Sequence, residues 1–252
     1  MEIAVVTGAS RGLGTSIAKL LMEKGISVIG VSRQNNEDLQ ALSDRKSVTY
    51  QHETCDLSNP EEVGEVFKRL ADLSFGRDYK KVYLINNAGM VEPVDTAGGY
   101  DTDSLTQHVN VNLIAPMAST NIFLQKAASS SAVLTAVNVT SGAADRSVYG
   151  WSAYCSTKAA LNRYTATVAL EQEENKTGNM TILYNPGIMD TDMQGQIRAA
   201  SEQEFKDVEN FRQYKETNSL RNPDTVAGGL MKVLELGDRM TNGENYRVTD
   251  FI

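Results

Sequence analysis

Ser141, Tyr154 and Lys158 fall within one stretch, NVTSGAADRSVYGWSAYCSTK, and their spacing has a chemical use. Four residues separate Tyr154 from Lys158, about one helical turn, so on a helix the phenol and the ammonium share a face. A phenol of ordinary pKa about 10 exchanges protons poorly near neutrality; a fixed positive charge beside it favours the phenolate and brings it toward the working range. The hydroxyl of Ser141 could then hold a carbonyl oxygen beside the phenol. By itself, a tyrosine four residues before a lysine also describes the ordinary polar face of an amphipathic helix. The elements around it must decide.

Those elements alternate. Residues 3–7 form a short β-branched run that predicts a buried strand, TGASRGLG follows at 7–14, and SIAKLLMEKG carries apolar residues at helical spacing up to a glycine stop at Gly25. Strand, glycine turn and helix together give a glycine cluster a phosphate-binding sense. Gly8 permits the turn, Gly12 lets backbone approach a pyrophosphate, Gly14 lets helix pack on strand, and the helix N-terminus favours negative charge. A second strand at 27–31 ends in Ser32 and Arg33, where a ribose-binding acid would often stand. Arg11 and Arg33 are either two solvated surface arginines or a pair facing a 2′-phosphate, which would favour NADP(H) over NAD(H).

A third strand is predicted at 48–55, followed by a helix over 61–73 with Ser58 as cap and Pro60 in the first turn. Asp56 either caps locally or bonds an adenine amine. A fourth strand at 82–86 runs into NNAG, whose small residues would let a ribose lie against backbone. One long helix is predicted over 103–126, with Asn110 and Asn112 in its apolar middle; Asn112 is either a structural hydrogen-bonder or a site residue holding water. A fifth strand at 132–139 delivers Ser141 at its carboxyl end, where α/β sheets bind ligands. The helix over 151–175 carries Tyr154 and Lys158, and a sixth strand follows at 180–184. The alternation pauses at 188–222, an excursion that is either a helical lid over a ligand or a structural elaboration; a helix from Pro223 to Leu236 and a short strand at 246–248 complete the chain. One domain over 1–252 is the economical reading.

Composition narrows the partners. A net charge of −8 with no basic block argues against nucleic acid, and no apolar run is long enough to span a membrane. Cys55 and Cys155 stand outside any CxxC spacing, and His52 and His108 outside any HExxH pattern, so no metal site is expected and both histidines are read as core or surface residues. Reduced thiols and the lack of a secretory pattern after Met1 predict a cytoplasmic protein.

Taken in order, TGASRGLG, NNAG, Asn112, Ser141, YCSTK and the PG at 186–187 make the chain resemble a short-chain dehydrogenase/reductase along its whole length. The resemblance implies an α/β Rossmann-like, doubly wound, mostly seven-stranded parallel sheet with helices on both faces. It makes Tyr154 the proton donor to the substrate oxygen, Ser141 the group orienting that oxygen, and Lys158 the ligand of the nicotinamide ribose that also lowers the tyrosine pKa. Asn112 would support a water-mediated proton relay. Gly8, Ser10, Arg11, Gly12, Leu13 and Gly14, with Arg33, would line the pyrophosphate and ribose phosphate of NADP(H). Asp56 and Leu57 would meet the adenine, Asn87, Ala88 and Gly89 the ribose, and Pro186, Gly187, Ile188, Thr191 and Met193 the carboxamide side, with Gly187 also against substrate.

Two stretches, GWSAYCSTKAA at 150–160 and NPGIMDTDMQGQIR at 185–198, resemble the sepiapterin reductase-like subgroup and its bacterial members that reduce benzil to benzoin. That likeness implies an NADPH-dependent carbonyl reductase acting on a vicinal or aromatic diketone, assembled as a homodimer or homotetramer. Sepiapterin reductases carry an aspartate near the C-terminus for the pterin; the matching position here is Arg247, with Asp250 three residues later. An arginine there leaves a pterin's donors unpaired, a cost of about 1–3 kcal/mol, so a non-pterin dicarbonyl is expected. The alternatives are a sepiapterin reductase, an alcohol dehydrogenase or acyl-carrier ketoreductase of the same fold, and a catalytically silent NADP(H) sensor.

Overall fold

Short β-branched runs and amphipathic segments follow one another along the chain. In the computed structural model, which describes residues 1–45, 48–76 and 78–252, they become strand and helix in turn. The strands β1 (Glu2–Thr7), β2 (Ser27–Ser32), β3 (Tyr50–Thr54), β4 (Lys81–Asn86), β5 (Val133–Val139), β6 (Met180–Asn185) and β7 (Asn245–Arg247) form one seven-stranded sheet in the order β3-β2-β1-β4-β5-β6-β7. Every pairing is parallel. This is the Rossmann-like doubly wound arrangement: connections go one way from β1 and the other way from β4, and a crevice opens at the carboxyl ends between them.

The helices are α1 (Gly12–Glu23), α2 (Glu37–Arg45), α3 (Pro60–Phe75), α4 (Thr102–Val109), α5 (Ala115–Ala127), α6 (Ser152–Glu174), α7 (Asp192–Ala199), α8 (Val208–Glu216) and α9 (Pro223–Leu234). Alternation along each strand divides the core between the two sheet faces. Tyr83 and Ile85 pack with Leu13, Ile17 and Leu21 of α1 and Leu230 and Met231 of α9. Val82 and Leu84 face Phe67 and Leu70 of α3 and Phe123 of α5. A third cluster joins Trp151 and Tyr154 at the start of α6 to Phe205, Val208 and Phe211 of the 188–222 excursion.

Three expectations are corrected. The cap of α3 is Asn59, not Ser58: its side chain accepts the N–H groups of Glu61 and Glu62, while Ser58 is turned back to Asp56. The expected single helix over 103–126 is two α-helices joined by a π-helical turn at Asn110–Ile114, where the extra residue fits Asn112 to its partners and Pro116 begins a new run. The helix α2 had no strong periodic signal and was not anticipated.

Both ends of the excursion meet at its base. The N–H of Asp190 donates to Arg221 O at 3.0 Å, and the N–H of Arg221 donates to Ile188 O at 3.2 Å. The segment is therefore a closed, internally packed flap, α7 and α8 on a narrow stem.

Candidate active site

The β1 strand ends in a turn that only small residues can make. A Cβ on Gly14 would lie 2.1 Å from Gly8 O, so the start of α1 packs directly on the turn. Thr7 ties that turn to the end of β4: its Oγ1 accepts the N–H groups of Asn87 and Ala88, both at 3.0 Å, and its carbonyl accepts Asn87 Nδ2 at 2.9 Å. The two strand ends that flank the crevice are thus fixed relative to each other. Thr7 was not anticipated as a site residue, because its role is set by a strand eighty positions away.

A cavity of about 1470 Å³ runs along these carboxyl ends. Gly8, Ser10, Arg11, Gly12, Leu13, Arg33, Asp56, Leu57, Asn87, Ala88 and Gly89 line it, together with Ser141, Tyr154, Pro186, Gly187, Ile188, Thr191 and Met193. Gly14, Asn112 and Lys158 are not on its wall and lie behind it. A Cβ on Gly89 would stand 3.1 Å from Asn112 Oδ1 and 3.7 Å from Lys158 Nζ, so these three form one packed unit under the surface that a ribose would touch. The glycine turn at a helix N-terminus, the length of the cleft and this bare-backbone shelf fit a dinucleotide.

The acid is placed by β5 and α6. Ser141 follows β5 and accepts the N–H of Ala143 at 3.2 Å, which fixes its rotamer over the cleft. Tyr154 sits in the first turn of α6, 7% exposed, with its ring edge-on to Trp151 at 5.3 Å between centroids. Burial raises its pKa above the ordinary phenol value, and a hydrogen bond from the Ser141 side opposes that rise. The expected lowering by Lys158 is not among the causes of this shift. The ammonium lies 5.9 Å from the Tyr154 ring centre and donates to Val139 O at 2.9 Å, and its own burial pushes its pKa down to about 8. For Tyr154, desolvation outweighs the Ser141 hydrogen bond, and this favours the protonated phenol, the state a proton donor needs.

Asn112 is a structural hydrogen-bonder through its side chain. Its Oδ1 accepts Met90 N–H at 2.9 Å, and its Nδ2 donates to Met90 O at 2.7 Å and to His108 Nε2 at 2.9 Å. Arg11 pairs with Asp192 at 2.9 Å, both side chains 69% exposed, and Arg33 lines the same cavity. An exposed pair of this kind is worth about 0–1 kcal/mol and is exchangeable for a bound phosphate. Asp56 accepts the N–H and Oγ of Ser58 at 2.9 and 2.8 Å; that backbone N–H chiefly, with the Arg33 charge adding, holds its carboxyl below the ordinary value. Arg247 is on the cavity wall, while Asp250 is exposed beyond it.

Sequence reading missed the aromatic wall. Trp151 stacks on Phe205 at 4.7 Å and meets Phe211 edge-on at 5.5 Å, and Trp151 and Phe211 both face the cavity beside Tyr154. The aromatics at 205 and 211 lie in a segment without sheet periodicity, so only the closed stem brings them to the site. His108 was also missed as a site residue; its position one helical turn before Asn112 was the available signal.

Comparison with known proteins agrees with this geometry. The chain is 42% identical over 252 residues, all of both sequences, to the benzil reductase ((S)-benzoin forming) of Bacillus subtilis (strain 168). It is 30% identical over 209 residues to the sepiapterin reductase of Bos taurus, covering 79% of this chain and 77% of that one. Among solved structures, a short chain dehydrogenase/reductase of Saccharomyces cerevisiae superposes with a TM-score of 0.80 at 26% identity, over the whole of both chains. The profile of the short chain dehydrogenase family matches residues 2–202, and the chain accordingly belongs to that family of nicotinamide dinucleotide-dependent oxidoreductases.

Proposed function

We propose that this enzyme is an NADPH-dependent carbonyl reductase that converts a vicinal or aromatic diketone, such as benzil, to a hydroxyketone. The observation that carries the reading is the placement of Tyr154 and Ser141 between the bare-backbone shelf at Gly89 and the wall of Trp151 and Phe211. A carbonyl oxygen held by Ser141 Oγ accepts the Tyr154 proton, and a flat aryl group beyond it meets rings rather than charges. The bound dinucleotide supplies the hydride to the carbonyl carbon. Lys158 holds positive charge behind that carbon, and the excursion serves as a lid whose rings exclude water.

Arg11 and Arg33, both on the cleft wall, support NADPH over NADH. Arg247 on the wall disfavours a pterin, since a guanidinium cannot accept its ring donors. The two unpaired thiols support a reducing compartment such as the cytoplasm. Among the described residues, no helix is long and apolar enough to cross a membrane. The family likeness and the exposed outer face of α6 support a homodimer or homotetramer.

The test is NADPH oxidation with benzil, 2,3-butanedione and sepiapterin, repeated with NADH. Benzil is expected to be the best substrate, and Tyr154→Phe to lose about a hundredfold or more in kcat with cofactor affinity kept. Near-normal turnover in that variant would remove Tyr154 from the mechanism; turnover of sepiapterin alone would overturn the substrate class.

A further inference from the structure

His108 is wholly buried, in the last turn of α4, and the mechanism above gives it no part. Its imidazole bonds three separate segments. Nδ1 lies 2.6 Å from the carbonyl oxygen of Glu92, in the loop after β4. A carbonyl only accepts, so Nδ1 carries a hydrogen. Nε2 lies 2.9 Å from Asn112 Nδ2 in the π-helical turn and 3.0 Å from Thr157 Oγ1 on α6. The Asn112 amide cannot be reversed, because Met90 N–H requires Oδ1 where it stands. Its Nδ2 therefore donates to Nε2, and Nε2 must offer a lone pair.

We propose that His108 is a positioning residue of the hydride-transfer site, whose neutral Nδ1–H imidazole locks the loop after β4, the Asn112 amide and the Tyr154–Lys158 turn of α6 into one arrangement. The inference rests on the oxidoreductase reading above. Thr157 is the residue before Lys158, and its hydroxyl shares its single hydrogen between Nε2 and the carbonyls of Ala153 and Tyr154 at 3.0 and 3.1 Å. Met90 is the residue after Gly89. Through these two neighbours the imidazole sets the spacing between the bare-backbone shelf and the acid. Its ring also stands edge-on to Tyr154, 6.2 Å between centroids.

Protonation would undo the arrangement. A cationic ring turns Nε2 into a donor facing the Asn112 donor, and places a second positive charge beside Lys158. The groups facing it are Lys158 and Tyr154 on α6, the neutral Asn112 and Thr157, and the carbonyls of Glu92 and Ala153, which favour the charged ring but are outweighed by burial; the Glu92 carboxylate is turned away to Gln196 Nε2 at 3.1 Å. Burial chiefly, with the Lys158 charge adding, holds the imidazole below its ordinary value. The site stays assembled at neutral pH and loosens in acid.

The test compares the wild type with His108→Gln and His108→Phe. Glutamine keeps an acceptor near the Nε2 position and cannot titrate; phenylalanine keeps the shape and loses all three bonds. For benzil with NADPH, His108→Phe is expected to lose about ten- to a hundredfold in kcat with little change in KM, and His108→Gln to recover most of it. The wild-type acid limb of kcat is expected to be absent in His108→Gln. Unchanged kcat in His108→Phe, or a loss that follows the unfolded fraction and is not rescued by glutamine, would overturn the proposal. If His108→Phe does not fold, the pH profile of His108→Gln decides alone, and an acid limb identical to the wild type overturns it. Nitrogen NMR of the wild type reads the ring directly: the Nδ1–H tautomer at neutral pH is expected, and an Nε2–H or doubly protonated ring overturns the proposal. That spectrum stands even if no carbonyl in the panel is reduced, so failure of the diketone reading is distinguishable from failure of this one.

Discussion

Lys158 is the residue at which function and stability pull apart. Its ammonium is 4% exposed and donates to one carbonyl, Val139 O, although it has three hydrogens to place. A pKa pushed from 10.5 down to about 8 corresponds to a burial cost on the order of 3 kcal/mol at neutral pH. The folded value is the depressed one, so below about pH 8 both folded and unfolded chains carry the charge and the full cost is present. Between about 8 and 10.5 the folded protein loses its proton first, and stability rises with pH. Lys158→Met is therefore expected to stabilise the protein by about 1–3 kcal/mol at neutral pH, after the loss of the Val139 bond, and to abolish turnover. Chemical denaturation of both proteins across that window checks it. A less stable variant, or one with the same rise in stability above pH 8, would show that the lysine is not held at a cost.

At the scale of elements, local signals were legible and distant ones were not. The strand that ends in Gly8, the helix that starts at Gly12 and the tyrosine–lysine turn of α6 each depend on a few neighbouring residues, and the structure places them as expected. Asp56, Leu57, Asn87 and Gly89 share one cleft for the same reason: strand ends converge once the parallel order is known. What failed was partner choice. Asn59 and Ser58 are both good caps, and only the turn geometry makes Asn59 the donor-satisfying one. The partners of Asn112 and His108 come from a loop and from α6, so no window of sequence shows them. The aromatic wall fails in the same way, since Phe205 and Phe211 reach Trp151 only because the excursion closes on its own stem. That wall makes an element-level prediction. Phe211→Leu keeps an apolar filler while removing the ring, and is expected to lower kcat/KM about tenfold for benzil and hardly at all for 2,3-butanedione, which has no ring to stack. Equal losses for both diketones would assign Phe211 to packing of the lid alone.

At the scale of the whole molecule, the helix that carries the acid has a second face to account for. The inner side of α6 buries Tyr154, Lys158, Leu161, Thr165 and Val168 against the sheet and the lid cluster. Its outer side presents Ala159, Ala166 and Leu170, which stand seven and four residues apart and so share one stripe. Leu170 is 57% exposed, a large apolar side chain on a stripe that also carries the exposed Arg163 between the two alanines. Solvation alone does not favour this composition, whereas a second copy of the chain packed helix against helix would bury it. If α6 is the assembly face, the subunit contact also braces the acid from behind, and stability becomes dependent on protein concentration. Leu170→Glu places a charge in that contact, which an oligomer can bury only at a cost of several kcal/mol. Sedimentation of the wild type is expected to give a dimer or tetramer, and of Leu170→Glu a smaller species whose thermal midpoint is lower and independent of concentration. An unchanged mass in the variant would move the assembly face away from α6 and leave Leu170 as an isolated surface leucine.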